Sequence, residues 1–306
     1  MKFNRLFKEK GLSLERLAAL VEVDDAGGIA SAAPDDDSRQ SLMSRQISQL
    51  EEFFDAELKT KTGKTIRLSP AGKQLAKFAR EHLQSLEEFH RACRKQPSEI
   101  VIGAGDSLLQ WLVMPRLRQV RDALKGTIVE MQDLQNVAIC HNLLDQVIDF
   151  GLLRSDLISR GSLEGKPLGK FGYSLFVPDK LWARERKASE ATLLQQLPLA
   201  TQGGNTLFQN RLEELAASRG WRLNIQLRCE SFPQVAQVLA SGQMAAILPD
   251  LARLAVSFDS MWVYPLSSLN ELRREVHLAW HPHRIETRPH LAGVKNKLAD
   301  VLKFAF

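Results

Sequence analysis

The stretch Ser44-Arg45-Gln46-Ile47-Ser48-Gln49-Leu50-Glu51 decides how the first part of this chain folds. Met43, Ile47, Leu50 and Phe54 recur at helical spacing, which predicts one buried helix face. The polar positions that this face leaves outside carry amide, hydroxyl and guanidinium groups, at Arg39, Gln40, Ser41, Ser44 and Arg45. Such groups hydrogen-bond to base edges and phosphates, so we interpret this helix as a reader of double-stranded operator DNA.

A helix-turn-helix is predicted to lead into this reading helix. Ser13 is placed to cap a first helix, whose predicted apolar stripe is Leu14, Leu17, Ala18 and Val21. Gly27-Gly28 is predicted to end the first helix, and the small residues of 29–33 suit a short second helix that packs closely. Either Asp37 or Ser38 is placed to cap the reading helix.

A two-stranded wing is predicted for residues 58–68, around the turn Thr62-Gly63-Lys64. Its cations Lys61, Lys64 and Arg67 are the residues we expect to contact the phosphate backbone. They belong to a longer basic block, residues 59–80, which contains no Asp or Glu; its other cations are Lys59, Lys73, Lys77 and Arg80. A solvated helix face without a function is the alternative interpretation of such a block.

A long helix is predicted from about Pro70 to Lys95, with an apolar stripe at Leu75, Phe78, Leu86 and Phe89. We expect this stripe to pair with the same helix of a second subunit, making the chain a homo-oligomer. Packing of the stripe on its own domain is the alternative. Gln96-Pro97-Ser98 then breaks the helix and is interpreted as a hinge.

From Glu99 onward predicted strands and helices alternate, including a helix over 108–124 with Pro115 early in it, which is typical of an α/β architecture. The order of elements predicts two lobes, lobe I at 97–165 with 270–306 and lobe II at 166–269. Turns after parallel strands offer N–H groups to ligands, so a small polar effector is expected in the cleft between the lobes. Its predicted contacts are Ser107, Thr201, Gln202, Asn205 and Pro249, although each could be an ordinary turn residue. The charge of Asp106 opposes an anionic ligand unless a cation compensates.

Length and composition agree with more than one domain, because 306 residues exceed what a single core usually serves. The net charge is +5. Cys93, Cys140 and Cys229 form no CxxC pair, so neither a disulfide framework nor a metal site is expected, and no cofactor is implied. No apolar run reaches the roughly 18 residues of a membrane span, and the first residues lack a secretory core, which favours a cytoplasmic protein.

These features together resemble the LysR-type transcriptional regulators, over nearly the whole chain. The motifs that carry the resemblance are residues 44–47 followed by 50–52, the segment Ile66-Arg67-Leu68-Ser69-Pro70-Ala71-Gly72, and 100–104. The resemblance implies an N-terminal winged helix-turn-helix at 1–69, a dimerisation helix at 70–96, and a two-lobed, periplasmic-binding-protein-like effector domain at 97–306. It also implies a dimer that can pair into a tetramer.

The chain departs from the family pattern at several positions. Asp36 and Ser38 stand where Leu and Val would be expected, and the Leu-Phe pair before the wing appears as Leu58-Lys59. A carboxylate run beside the reading helix would repel phosphate unless it points away or caps the helix. These departures leave a small-molecule binding protein with a degenerate DNA-binding head as an alternative to the regulator.

An enzyme acting in the cleft is the alternative from another class. Asp106, Ser107 and His141 could be recruited into a catalytic scheme, but their spacing matches no nucleophile motif. The chain contains no G-x-S-x-G, no phosphate-binding G-x-x-x-x-G-K-[ST] and no H-E-x-x-H. The sequence therefore favours an effector-modulated transcriptional regulator without catalytic activity.

Overall fold

The computed structural model describes residues 6, 10–62, 65–158, 162–182, 188–204, 206–255 and 260–306. The chain divides into two compact units, Met1–Ser98 and Glu99–Phe306. The long helix predicted as a separate segment therefore belongs to the N-terminal unit. Its contacts with the first helix of that unit explain why.

Three helices form the first part of the N-terminal unit: α1 (Leu14–Asp25), α2 (Ile29–Ala32) and α3 (Asp37–Phe54). Ser13 caps α1 as expected, and its side chain accepts a hydrogen bond from the Arg16 N–H. Neither Asp37 nor Ser38 caps α3. Asp36 does, because its carboxylate accepts the Arg39 N–H at 2.9 Å, so part of the acidic run stabilises the helix start.

The buried face of α3 consists of Met43, Ile47 and Leu50, as the spacing predicts. The predicted stripe of α1 is wrong in phase. The residues buried there are Ala19, Leu20 and Val23, whereas Leu14 is exposed. Helix α1 is apolar on two overlapping stripes, and its packing against both α3 and the next long helix selects the second of them.

The wing is an antiparallel pair, β1 (Lys59–Thr62) and β2 (Thr65–Leu68), in which Lys59 lies opposite Leu68. Ser69 caps the following helix by accepting the Gly72 N–H, and its hydroxyl donates to the Glu57 carbonyl at 2.7 Å. A Cβ at Gly72 would lie 2.0 Å from the Leu58 carbonyl oxygen. The Ser-Pro-Ala-Gly motif therefore caps the helix and lets it approach the wing closely.

Helix α4 (Pro70–Cys93) follows and has one buried side and one side with exposed apolar residues. Ala76, Ala79 and Arg80 are buried in the N-terminal unit, and Leu75 is partly buried against the same core. Of the predicted oligomer stripe, therefore, Leu75 packs on its own domain, because it faces the same side as Ala79. The other members, Phe78, Leu86 and Phe89, remain exposed.

Lobe I of the second unit is a five-stranded sheet in the order β4-β3-β5-β12-β6. Its strands are β3 (Ser98–Ala104), β4 (Thr127–Asp133), β5 (Phe150–Arg154), β6 (Glu164–Phe171) and β12 (Arg274–Trp280). Its helices are α5 (Asp106–Leu108), α6 (Leu117–Ala123), α7 (Asn136–Leu144), α8 (Ser155–Ile158), α12 (Pro282–Thr287) and α13 (Pro289–Leu302).

Lobe II is a second five-stranded sheet, in the order β11-β7-β10-β8-β9. Its strands are β7 (Tyr173–Pro178), β8 (Leu199–Gln202), β9 (Ile225–Cys229), β10 (Ala245–Pro249) and β11 (Met261–Pro265). Helices α9 (Glu190–Gln196), α10 (Leu207–Ser218) and α11 (Phe232–Ala240) connect them, with 3-10 turns at Asp250–Leu254 and Ser267–Leu272.

The crossings between the lobes differ from the predicted boundaries. Strand β6 pairs with β12 through Phe171, so lobe I extends past 165 and the chain enters lobe II at Gly172. The chain returns to lobe I at Arg274, after the 3-10 turn Ser267–Leu272. The helix predicted over 108–124 is also interrupted: a π-helical turn, Leu109–Val113, and a 3-10 turn, Met114–Arg116, precede α6. Pro115 supplies no N–H, which explains the break.

Candidate nucleic-acid interface and effector cleft

The polar surface of α3 begins at its N-terminal turns. Arg39, Ser41 and Arg45 are exposed, whereas Gln40 and Ser44 are half-buried. Among the residues that the structure describes, Arg45 has no hydrogen-bond or ion-pair partner. Its guanidinium is thus available to an external acceptor.

Two other predicted contacts already have partners inside the unit. The Arg39 guanidinium pairs with Glu22 of α1. The Gln40 amide donates to the Ala33 carbonyl at 2.8 Å, which satisfies a backbone group at the end of α2. Both side chains hold the helices together, so their use on DNA would require these contacts to be shared or exchanged.

The basic block divides into exposed and committed cations. Lys61 and Arg67 of the wing are exposed, and Lys64 lies outside the described residues. Lys59, in contrast, is turned toward α3, and Arg80 is buried between Asp24 and Asp25, with Nη2 to oxygen distances of 3.0 and 2.5 Å. Burial disfavours the charge of Arg80, but the two carboxylates outweigh burial and raise the pKa of Arg80. Arg80 therefore stabilises the unit rather than binding phosphate.

Two of the predicted effector contacts, Ser107 and Thr201, stand on elements that contact α11. Ser107, on α5, is half-buried, and α5 contacts both α11 and the 3-10 turn Asp250–Leu254 of lobe II. Strand β8, which carries Thr201, also contacts α11. The elements that carry Ser107 and Thr201 therefore share α11 as a neighbour. Thr201 is fully buried, and its hydroxyl has no hydrogen-bond partner among the described atoms.

The remaining predicted contacts are less accessible. Gln202 donates its amide to the Glu230 carbonyl at 3.1 Å, and Pro249 is buried at the end of β10. Asn205 lies outside the described residues. Asp106, whose charge would oppose an anion, accepts a hydrogen bond from the Gln110 amide at 2.5 Å.

Asp250, directly after Pro249, binds the chain at the first crossing between the lobes. Its carboxylate accepts the Gly172 N–H at 3.0 Å and the Ser174 hydroxyl at 2.6 Å. Arg253 lies 3.6 Å from the same carboxylate and donates to the Ser174 oxygen. This network holds the chain at the point where it passes between the lobes.

An aromatic cluster, Phe171, Tyr173, Phe208 and Phe232, lies beside this crossing. The Tyr173 ring stacks on Phe208, with centroids 4.6 Å apart, and lies 5.9 Å from Phe232. Burial raises the pKa of Tyr173 to about 12, although the charges of Arg274 and Arg154 act in the opposite direction. Tyr173 is therefore a neutral phenol at physiological pH, with two cations near it.

Sequence reasoning missed the aromatic cluster and Asp250. Phe208 and Phe232 stand in the first turns of α10 and α11, and in the sequence Phe208 comes shortly after the polar segment that begins at Thr201. An aromatic residue shortly after a polar segment is the sequence signal that could have indicated the aromatic cluster. Their meeting with Tyr173 depends on the pairing of lobe II strands, which no local pattern reveals.

Neither a membrane span nor a metal centre is found in the described part of the chain. No helix there is both long and apolar enough to cross a membrane. No group of three or more His, Cys, Asp or Glu side chains is arranged there to hold a metal ion.

Comparison with protein families accounts for most of the chain. Residues 14–73 match the family described as "Bacterial regulatory helix-turn-helix protein, lysR family". Residues 94–292 match the family described as "LysR substrate binding domain". The first match spans the three helices and the wing, and the second spans both lobes.

Curated relatives match most of the chain at low identity. The chain is 24% identical, over 79% of its own length and 79% of the relative's, to the nitrogen assimilation regulatory protein nac of Klebsiella aerogenes. It is 27% identical, over 67% of its length and 80% of the relative's, to the HTH-type transcriptional regulator HdfR of Escherichia coli O139:H28.

Solved structures share the fold. A full-length OxyR variant from Pseudomonas aeruginosa superposes with a TM-score of 0.64 at 16% identity, covering 95% of this chain and 98% of that one. Full-length CbnR in complex with its target DNA gives a TM-score of 0.57 at 18% identity, covering 95% and 100%. These likenesses confirm the predicted architecture, a winged helix-turn-helix followed by a two-lobed α/β domain.

Proposed function

Because this chain belongs to the LysR family of transcriptional regulators, we propose that its α3 surface reads an operator under the control of a small molecule bound between the lobes. The protein is a DNA-binding transcriptional regulator with an effector-binding domain. One observation supports the assignment of the reading surface. Arg45 is exposed and has no internal partner among the described residues, and it lies on a helix whose opposite face is buried. We propose that the cleft binds the effector and catalyses no reaction.

A gel-shift experiment with the upstream region of the protein's own gene tests this function. A specific shift that survives excess unrelated duplex supports the regulator. Equal competition by operator and unrelated DNA would contradict sequence-specific reading and would favour a binding protein with a degenerate head.

Arg45→Ala is expected to weaken operator binding by about 1 to 3 kcal/mol, because a guanidinium that binds guanine through two hydrogen bonds discriminates by that amount. Fluorescence anisotropy with the operator duplex measures the loss. Arg211→Ala, which removes an exposed arginine of α10 paired with Glu214, is the matched control and is expected to leave operator affinity unchanged. Equal affinity of the folded Arg45→Ala variant and the wild type would remove Arg45 from the reading surface.

The effector is proposed to be a small polar molecule that contacts Ser107 and Thr201, with Gln202, Asn205 and Pro249 around them. The unpartnered, buried hydroxyl of Thr201 supports this assignment, since a buried polar atom normally has a hydrogen-bond partner. The positive charges of Arg154 and Arg274 act on Tyr173, beside the crossing between the lobes, and favour a ligand with an acidic group. Such a ligand acts by its different affinity for two lobe arrangements, typically about 1 to 3 kcal/mol of coupling.

The double variant Ser107→Ala, Thr201→Val is expected to lose ligand-induced thermal stabilisation while still binding operator DNA. A ligand at about 100 times its Kd stabilises a protein by about 2.7 kcal/mol, which a thermal-shift screen of small carboxylates and their amides detects readily. Ser218→Ala, at the opposite end of α10 from Phe208, is the control. Hits that stabilise wild type and double variant equally would place the effector site elsewhere.

We also propose that α4 forms a two-fold interface with its copy, through Phe78, Leu86 and Phe89, so that the regulator is a dimer or a pair of dimers. The exposure of these three large apolar side chains on one helix supports the proposal. The wing residues Lys61, Lys64 and Arg67 are proposed to contact phosphates on either side of the operator.

A further inference from the structure

Lys59 of the wing does not face solvent, although it belongs to the basic block. Its side chain is 22% exposed, and its ammonium group lies against α3. The Nζ atom donates to the Ser44 carbonyl at 3.2 Å and to the Ser48 hydroxyl, and it lies 3.4 Å from Glu51 Oε2. An ammonium group has three N–H donors, so these three acceptors satisfy it completely.

The Glu51 carboxylate completes the connection from the helix side. Its Oε1 atom accepts the backbone N–H groups of Leu58 at 2.9 Å and of Lys59 at 3.2 Å. Glu51 thus holds both the backbone and the side chain of the first wing strand. We call Lys59 with Ser44, Ser48 and Glu51 the wing clamp.

Lys61 provides the contrast within the same strand. It lies two residues after Lys59, on the same face of the wing, because side chains alternate along a strand. It is exposed and has no partner among the described residues. One lysine is therefore committed internally, whereas the other is available to a phosphate.

We infer that Lys59 is a positioning residue for DNA recognition. It sets the wing at a defined place beside the reading surface of α3 and neutralises Glu51, and it makes no phosphate contact of its own. A phosphate could take Lys59 only by displacing three acceptors that the protein already supplies. The inference rests on the proposed function, because it assigns Lys59 to the alignment of two DNA-contacting elements.

The two roles differ in their salt dependence. A lysine that neutralises a phosphate releases counterions, so its removal makes the negative slope of log K against log salt less steep by about 0.9. A positioning residue leaves the number of phosphate contacts unchanged. Its removal instead misplaces the wing relative to the base contacts and lowers the preference for operator over unrelated duplex.

The experiment measures both quantities by anisotropy over a range of salt, with the gene's upstream operator and an unrelated duplex of equal length. Lys59→Met is expected to lower the operator preference about fivefold or more, the size of one lost base contact, with an unchanged slope. Lys61→Met is expected to make the slope less steep by about 0.9 and to leave the preference unchanged. Lys59→Arg, which retains several donors, is expected to restore much of the preference.

Glu51→Gln provides a second route if Lys59→Met does not fold. It keeps an oxygen for the two backbone N–H groups and removes the charge beside the ammonium, so the operator preference is expected to fall. Two results would overturn this inference without touching the proposed function. In the first, Lys59→Met changes the salt slope as Lys61→Met does. In the second, neither Lys59→Met nor Glu51→Gln changes the salt slope or the operator preference. Wild-type protein that binds neither duplex would overturn the proposed function and this inference with it.

Discussion

A chain carrying Phe78→Glu and Leu86→Glu is expected to sediment as a monomer. The side chains are 50% and 51% exposed and lie on one helix face with Phe89, which is 70% exposed. Fully burying such a side chain is worth roughly 1.5 to 3 kcal/mol, and each residue contributes twice to a two-fold contact. About half of each side chain is already buried within its own unit. The two copies of Phe78 and Leu86 in a dimer therefore contribute roughly 3 to 6 kcal/mol to the free energy of association.

The variant is expected to stay folded, because Ala76, Ala79 and Arg80 pack the other side of α4 into its own unit. Sedimentation velocity over a concentration series measures the state. Lys73→Glu with Lys77→Glu, which places the same number of carboxylates on the polar side of α4, is the control and should remain dimeric. A double variant at Phe78 and Leu86 that still dimerises would move the interface away from this stripe.

The second large effect is expected at a buried charge cluster in lobe I. Asp149 is fully buried; its Oδ1 atom accepts from Arg284 Nε at 2.8 Å and from Arg288, and its Oδ2 atom accepts the Val101 N–H at 2.8 Å. Arg288 also donates to the Glu99 carbonyl at 2.7 Å, so the cluster holds the beginning of β3 against the closing helices. Burial raises the pKa of Asp149 and lowers the pKa of Arg288 to about 10, so each charge depends on its partner in a dry site.

Asp149→Asn is therefore expected to destabilise the second unit by about 3 to 5 kcal/mol, the usual effect of removing one partner from a buried ion pair. Equilibrium denaturation measures the free energy of unfolding. Asp156→Asn is the control, because its exposed pairing with Arg154 at 3.0 Å is worth at most about 1 kcal/mol. If Asp149→Asn costs no more than Asp156→Asn, the buried cluster adds little to the stability of the fold.

Local patterns in the sequence were sufficient for the elements that define the reading head. The buried positions Met43, Ile47 and Leu50 follow from helical periodicity alone, and the Ser13 cap follows from a side chain that bonds three residues ahead. The residues 65–72 likewise contain the second wing strand and the cap of α4. Together with the strand and helix alternation after Glu99, these local signals determined the family and the two-lobed architecture.

Tertiary structure alone decided which of several locally equivalent choices was realised. Helix α1 offers two apolar stripes, and only its neighbours select the one through Leu20 and Val23. Lys59 and Arg80 resemble phosphate ligands in the sequence, yet their acceptors lie 15 and 56 residues away at Ser44 and Asp24. Periodicity and capping act between neighbours along the chain, whereas the partner of a long charged side chain is set by which distant segments the packed core brings within its reach.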